Sequence, residues 1–129
     1  MSAPASKLAE WLQVETAEED GCYRLAFAEH HLGNIWIRSL HGGVSGSFIE
    51  LCAEHEAVKT IETDGQPPLA VFASSSSVDY LRVTKDADLY ARCRIVRTSR
   101  RLCVVDVVCW QDDETLPVVR GTVTLKIER

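Results

Sequence analysis

The sequence lacks the patterns that mark several protein classes. It has five cysteines, an odd number with no C-x-x-C pair, so neither a disulfide framework nor a zinc site is expected. No run approaches the ~18 consecutive apolar residues of a membrane span. Residues 1–12 carry Lys7 and Glu10 within their apolar positions, unlike a signal peptide. These absences predict a cytoplasmic protein with no membrane contact.

Basic residues and nucleotide-binding fingerprints are also scarce. The chain has 14 Lys and Arg against 19 Asp and Glu, a net charge of −5, which argues against broad nucleic-acid binding. There is no P-loop or dinucleotide fingerprint. The segment Gly43-Val44-Ser45-Gly46 does not have the G-x-S-x-G spacing of a serine hydrolase. No metal or redox cofactor is implied.

The composition is that of a globular domain. Of 129 residues, 46% are hydrophobic and 26% charged, and no repeat or linker divides them. We therefore predict one domain over residues 1–129, with residues 1–19 as an N-terminal helical extension. Within it, Leu8, Trp11 and Leu12 are spaced as on a short helix over residues 5–14, behind a Ser6 cap.

The periodicity beyond the extension predicts a long helix and a sheet. Residues from Gly42 to about Val58 contain no proline and are apolar on several sides, which indicates a buried helix. A strand is predicted over Cys22–Phe27, and from residue 69 onward the pattern has period two. Further strands are expected over these ranges: 69–83, including Ser74–Ser77; 89–96; 102–110; and 119–127.

The arrangement of these elements predicts an α+β fold. Short connections favour an antiparallel meander of the last four strands, wrapped around the long helix. The strand 102–110 is apolar except for Asp106, so we expect it to be covered on both faces, with Asp106 paired to Arg92 or Arg94. A single sheet leaves its edge strands exposed. Edge-to-edge pairing of two copies would cover them and predicts a homodimer.

The strongest candidate for chemistry is Leu40-His41-Gly42-Gly43-Val44, followed by Glu50. A helix N-terminus presents free N–H groups and partial positive charge, and glycine lets a carbonyl approach them, as in an oxyanion hole. Glu50 is a carboxylate on an otherwise apolar helix, suited to act as a base or a nucleophile. Gly42 and Glu50 lie about 12 Å apart along one helix, so acting together requires Glu50 from a second chain.

These motifs resemble those of the hotdog-fold acyl-CoA thioesterases. The HGG element with its spaced acid is similar to that of the phenylacetate-pathway (PaaI-type) group within the 4-hydroxybenzoyl-CoA thioesterase-like superfamily. Val78-Asp79-Tyr80-Leu81-Arg82 resembles the family's Y-L-R-P strand end, and Arg97-Thr98-Ser99-Arg100-Arg101 its R-x-G-R-R turn. The resemblance covers residues 20–127 and implies a hotdog fold, an antiparallel sheet wrapped around a long central helix.

The resemblance also implies roles for individual residues. Gly42 and Gly43 would polarise the thioester carbonyl, Glu50 would activate water or attack the carbonyl, and His41 would shape the loop beside the thioester. Asn34 would be the loop amide, although it lies seven residues before His41 rather than five or six. The remaining candidates are a serine that holds the water, either Ser74 or Ser75 because Ala73 occupies the usual position, and phosphate-binding arginines: Arg97, Arg100 and Arg101.

The resemblance therefore implies an enzyme that hydrolyses an acyl- or aryl-CoA thioester to a free acid and CoA, with the acyl-CoA as its partner. It would work as a homodimer or as a dimer of dimers. Two other readings stay open: a non-catalytic module that binds acyl-CoA, and a hydratase or dehydratase of acyl thioesters.

Overall fold

The computed structural model describes residues 6–17, 19–63, 65 and 67–129. The helices are α1 (Lys7–Leu12) and α2 (Gly42–Thr63), with a 3₁₀ turn over Glu29–His31. The strands are β1 (Val14–Thr16), β2 (Cys22–Leu25), β3 (Leu32–Asn34), β4 (Ser39–Leu40), β5 (Ala70–Tyr80), β6 (Leu89–Thr98), β7 (Leu102–Trp110) and β8 (Val119–Glu128).

Six of these strands form one antiparallel sheet in the order β1-β2-β6-β7-β8-β5, and β3 and β4 form a separate hairpin. The predicted strand over Ser74–Ser77 is confirmed, because these serines lie within β5. The long helix α2 packs across the sheet against β5, β6, β7 and β8. An antiparallel sheet with one long helix packed on it is the architecture that the sequence predicts.

The expected four-strand meander is wrong in one respect. Strands β6, β7 and β8 do follow one another, but β5 pairs with β8 and lies at the outer edge of the sheet. The place beside β6 is taken by β2, whose Tyr23 lies opposite Ala91. Strand β5 is therefore outermost, and among the described strands only β8 pairs with it.

The interior face of α2 fixes its position over the sheet. Inward side chains recur every three or four residues along it: Val44, Phe48, Ile49, Cys52, Ala53, Ala57 and Ile61. Burying each large apolar side chain stabilises the fold by roughly 1.5–3 kcal/mol. Where α2 passes over β8, a Cβ on Gly121 would lie 3.1 Å from Ile49 Cγ2 and 3.0 Å from the Ser77 carbonyl oxygen. Glycine at 121 therefore lets the helix lie close to the sheet.

Strand β7 is buried on one face rather than both. Its inward side chains are Cys103, Val105, Val107 and Cys109, whereas the alternate residues are half-buried or exposed. Asp106 lies on the outer face and accepts hydrogen bonds from Arg94 (2.6 Å) and Thr122 (2.8 Å). The predicted pairing of Asp106 with Arg94 is thus confirmed, and it forms across neighbouring strands at the surface.

The N-terminal helix is shorter than the predicted 5–14 and is followed by a strand. Ser6 caps it as expected and accepts a 3.0 Å hydrogen bond from the Ala9 N–H. Its buried residues are Ala9 and Leu12, whereas Leu8 and Trp11 are half exposed. The extension over residues 1–19 also contains β1, which pairs with β2, and its residues 1–5 and 18 lie outside the described residues.

Candidate active site at the start of the long helix

His41 caps the N-terminus of α2. Its backbone N–H donates to the carbonyl oxygen of His31 (2.8 Å), and its own carbonyl accepts from the N–H groups of Val44 (2.9 Å) and Ser45 (3.3 Å). Its ring atom Nδ1 accepts a 2.8 Å hydrogen bond from the Gly43 N–H. An accepting Nδ1 carries no proton, so neutral His41 holds its proton on Nε2.

The His41 cap occupies one of the two N–H groups, those of Gly42 and Gly43, expected to polarise a carbonyl. The Gly43 N–H is directed to the His41 ring, while Gly42, the first helical residue, lies in the turn whose N–H groups have no partner within the helix. The Gly42 carbonyl accepts a 2.8 Å hydrogen bond from the Tyr80 hydroxyl. A Cβ on Gly42 would lie 3.3 Å from the Tyr80 hydroxyl oxygen. Gly42 is therefore held against the end of β5 and is the better placed of the two glycines.

A cleft of about 440 Å³ opens beside Gly42. Its walls are largely apolar, and they combine the β3–β4 hairpin, the start of α2 and the segment that follows β5. The lining includes Ile37, Leu40, Gly42, Tyr80, Leu81 and Val83. Ser39, Ser45, Arg82 and Thr84 also line it, and a largely apolar cleft with a few polar groups suits an apolar ligand that carries one polar reacting group.

Glu50 lies farther along α2 and faces β5. Its side chain is half-buried, and Oε1 accepts a 2.8 Å hydrogen bond from the Ser76 hydroxyl. Burial and the neighbouring Glu50 carboxylate raise the pKa of Glu54 one turn later. Gly42 and Glu50 are about 12 Å apart along the helix axis, so one chain does not bring its carboxylate to its own Gly42.

The serine that meets Glu50 is Ser76, which sequence reasoning missed. A bulge between Ala73 and Ser75 shifts the register of β5, and the Ser74 hydroxyl donates to the Thr124 carbonyl (3.1 Å). Counting back in twos from Tyr80 would have found Ser76, because Tyr80, Val78 and Ser76 share one face of a strand. Tyr80 and Ser76 both contact α2 from that face.

Asn34 serves the β3–β4 hairpin. Its Oδ1 accepts hydrogen bonds from the N–H groups of Trp36 (3.0 Å) and Ile37 (3.3 Å). A side-chain oxygen that accepts from the N–H groups two and three residues later is an Asx turn. The side-chain oxygen of Asn34 thus stabilises the turn of its own hairpin.

Arg97, Arg100 and Arg101 lie exposed where β6 turns into β7. The end of β8 adds two cations to this surface, because Lys126 lies opposite Leu102 and the Arg129 guanidinium donates to the Arg100 carbonyl (3.1 Å). We call these five residues the basic turn. In a chain of net charge −5, such a cluster suits a phosphorylated ligand.

The described residues contain no group of three or more His, Cys, Asp or Glu side chains arranged to hold a metal ion. All five cysteines are free thiols, and burial raises the pKa of each. Within the same described ranges, no helix has the length and apolar content needed to cross a membrane.

Comparison with known proteins places this arrangement in a family. Residues 38–118 match the family model of the thioesterase superfamily. No curated protein matches the chain.

Solved structures share the fold at low identity. A conserved protein from Pseudomonas aeruginosa is 23% identical with a TM-score of 0.80, covering 96% of this chain and 95% of that one. A Bacillus halodurans protein solved with CoA is 21% identical, with a TM-score of 0.78 and coverage of 95% and 76%. The Escherichia coli PaaI protein from the phenylacetic acid degradation operon is 17% identical, with a TM-score of 0.79 and coverage of 96% and 86%. Together with the family match, they confirm the hotdog fold.

Proposed function

Because the chain belongs to the thioesterase superfamily, we propose that it hydrolyses an acyl-CoA thioester to a free acid and CoA. The CoA bound to the Bacillus halodurans neighbour supports a CoA ester as substrate. The observation that carries the proposal is the 2.8 Å hydrogen bond between Glu50 on α2 and Ser76 on the outermost strand. It presents a carboxylate, oriented by a hydroxyl, at an edge that a second copy can reach.

The start of α2 binds the reacting carbonyl in this proposal. The Gly42 N–H donates to the thioester oxygen, where negative charge develops in the transition state. The apolar cleft holds the acyl group, since Leu40, Leu81 and Val83 line it. His41 keeps the helix start in place through the Gly43 N–H.

Glu50 supplies the other half of the reaction. As a base it takes a proton from water while the water oxygen attacks the carbonyl carbon, the C–S bond breaks and the CoA thiolate leaves. As a nucleophile the carboxylate attacks the carbonyl carbon itself, the C–S bond breaks and the CoA thiolate leaves, and water then hydrolyses the resulting mixed anhydride to the free acid and the restored carboxylate. In both routes the Ser76 hydroxyl orients the carboxylate.

The two halves meet in a homodimer. Catalytic groups must converge to about 3 Å from the reacting atoms, and Gly42 and Glu50 of one chain do not. Pairing of the outer edge of β5 with its counterpart brings the partner's Glu50 to Gly42. The basic turn then binds the phosphates of CoA, with arginine well suited to bidentate phosphate contacts.

The test is release of the CoA thiol from acetyl, hexanoyl, decanoyl, palmitoyl, benzoyl and phenylacetyl esters. Glu50→Ala should lower turnover at least ~100-fold, the scale of general acid–base catalysis, while the protein stays folded. The matched control is Glu62→Ala, an exposed carboxylate on the same helix, which should retain wild-type turnover. Full turnover in Glu50→Ala would refute the mechanism. Binding of CoA esters without any hydrolysis would favour the non-catalytic module.

A further inference from the structure

A second acid lies one helical turn beyond Glu50, and the reaction proposed above does not use it. Glu54 follows Glu50 by four residues on α2, so the two side chains share one face of the helix, with their Cβ atoms about 5–6 Å apart. Glu54 is half-buried, and among the described residues no hydrogen bond or ion pair reaches its carboxyl group. Removing an acid from water without a partner costs stability, so its position calls for an explanation.

Helix α2 runs antiparallel to β5, and this direction places Glu54 along the strand. The first residue of the helix, Gly42, contacts Tyr80 at the C-terminal end of β5, and Glu50 contacts Ser76 farther back along the strand. One more helical turn advances about 6 Å in the same direction. Glu54 therefore lies over the part of β5 that precedes Ser76.

That part of β5 offers no donor to Glu54. Ala73 is the next residue before Ser76 to face inward, because it pairs with the buried Leu125 while Ser76 pairs with the buried Val123. The two residues between them occupy the bulge. An alanine side chain has no hydrogen-bond donor, so the serine contact is not repeated one turn later.

In the described part of the chain, the charged group that acts on Glu54 is Glu50. Burial, and then the Glu50 carboxylate, raise the pKa of Glu54. Strand β5 has only Asp79 and Tyr80 as titratable residues, both at its far end. The inward residues of β8 have no titratable group: Val119, Gly121, Val123, Leu125 and Ile127. Burial and a like charge both favour the neutral acid, and two acids in unlike environments divide into a base and an acid.

We propose that Glu54 is the general acid of the hydrolysis, with Glu50 as the base or nucleophile; this assignment rests on the proposed function. While Glu50 takes a proton from the attacking water, the neutral Glu54 carboxyl group gives its proton to the departing thiolate as the C–S bond breaks. A proton then passes from Glu50 to Glu54. The pair holds one proton before the reaction and one after it.

The nucleophilic route balances with the same two residues. Glu50 attacks the carbonyl carbon, the C–S bond breaks and the thiolate takes the Glu54 proton. The Glu54 carboxylate then takes a proton from the water that hydrolyses the mixed anhydride, which restores both side chains. The attacking oxygen and the departing sulfur are bound to one carbon, and carboxyl groups roughly 5–9.5 Å apart divide such roles in glycoside hydrolysis.

The leaving group distinguishes a general acid from other roles of Glu54. An alkyl thiol such as CoA has a pKa of about 8.5, so its thiolate takes up a proton, whereas 4-nitrothiophenolate is stable without one at neutral pH. In Glu54→Gln, kcat should fall at least ~10-fold for hexanoyl-CoA and stay within about twofold of wild type for the hexanoyl 4-nitrothiophenyl ester. Glu50→Ala should lose turnover of both esters, because both need the attack.

The matched control is Glu62→Gln, an exposed glutamate on the same helix. It should keep the wild-type kcat with both esters. Equal losses for the two esters in Glu54→Gln, or no loss with either, would overturn the general acid.

The pH dependence of kcat is a second readout. Wild-type kcat for hexanoyl-CoA should decline as the pH rises through the titration of Glu54, and Glu54→Gln should lack this decline because its amide has no acidic proton to lose. Carbon-13 NMR of the carboxyl groups identifies Glu54 as the resonance absent from Glu54→Gln, and it should titrate above the exposed glutamates. Titration with them or below them would contradict the proposal without any measurement of activity.

The two proposals fail in different ways. A wild-type protein that releases no CoA thiol removes the thioesterase, and the general acid with it. A wild-type enzyme that does release CoA thiol, and whose kcat and pH profile are unchanged in Glu54→Gln, removes only Glu54 from the mechanism.

Discussion

Two of the glutamates on helix α2, Glu50 and Glu56, lie six residues apart in different surroundings. The Glu56 side chain is only 12% exposed; it accepts a 2.8 Å hydrogen bond from the Tyr23 hydroxyl and lies 3.4 Å from Lys59 Nζ. Glu50 accepts from Ser76, an exposed hydroxyl on the outermost strand. Glu56 therefore has a cation and a hydrogen-bond donor within its own chain, whereas Glu50 faces the edge where another chain can pair.

The number of protons available in the polar cluster around Glu56 determines which group donates each hydrogen bond. Tyr23, only 1% exposed, has one hydroxyl proton and donates it to Glu56, so the 2.7 Å contact with His55 Nδ1 requires the histidine to donate. Burial and the Glu56 carboxylate raise the pKa of Tyr23. Burial with internal partners gives Glu56 a structural role, whereas the position of Glu50 at a pairing edge leaves its carboxylate available for chemistry.

The largest predicted effect is the recovery of turnover when two inactive variants, one in each half of the site, are combined in mixed dimers. Gly42→Pro removes the N–H donor at a first helical position, where the backbone accepts proline and the added Cβ displaces the Tyr80 hydroxyl slightly, and Glu50→Ala removes the carboxylate. Each variant alone should be inactive. Because half of randomly paired dimers are mixed and each has one intact site, co-expression should restore about a quarter of wild-type turnover.

The control for this experiment is two Glu50→Ala chains that carry different tags, which should restore nothing. Turnover in Gly42→Pro alone would remove the Gly42 N–H from the mechanism. Absence of any recovery in purified mixed dimers would show that Glu50 does not act across the subunit boundary.

The Glu56 cluster should respond in stability. Tyr23→Phe leaves a buried carboxylate without its donor, so the free energy of unfolding should fall by about 1–3 kcal/mol. Adding Glu56→Gln should cost less than the sum of the two single changes, because the residues act as one network. Urea unfolding measures both. Glu50→Gln should change the free energy of unfolding by at most about 0.5 kcal/mol. A loss as large as that in Tyr23→Phe would show that Glu50 also has a structural role.

Two histidines, His55 beside the Glu56 cluster and His31, predict a pH dependence of stability. Burial lowers the pKa of His55 and of His31 in the folded chain, so between the folded pKa and the unfolded value of 6.5 the unfolded chain binds more protons. The free energy of unfolding should therefore stay level above about pH 6.5 and decline as the pH falls below it. His55→Gln should flatten part of this decline in urea titrations at pH 7.5, 6.5 and 5.5. An unchanged slope in both His55→Gln and His31→Gln would contradict it.

Local patterns made much of the fold predictable. Helix α2 begins at Gly42 as expected, because small residues at its start and apolar spacing along it are local signals. The position of β5 was not predictable in the same way, because β2 takes the place beside β6 through a contact between distant residues. Pairing order depends on competition among strands, which a single period-two pattern does not contain.

The candidate site divides along the same line. Gly42 and Glu50 follow from their types and spacing, and both stand where an active site is proposed. Gly43 and Asn34 are engaged by local hydrogen bonds, one to the His41 ring and one to a hairpin turn. Such capping depends on side-chain rotamers that spacing does not reveal. Spacing did not single out Ser76 because it pointed to the neighbours of Ala73, whereas the serine that contacts Glu50 lies on the Tyr80 side of the bulge between Ala73 and Ser75.

The smallest predicted effect distinguishes the three serines. Ser76→Ala removes one hydrogen bond to the Glu50 carboxylate, a contribution of about 0.5–1.5 kcal/mol, so turnover should fall about two- to twelvefold. Ser74→Ala and Ser75→Ala leave that bond intact and should stay within about twofold of wild type, measured with the best ester of the panel. A larger loss in Ser74→Ala or Ser75→Ala than in Ser76→Ala would restore the assignment made from spacing.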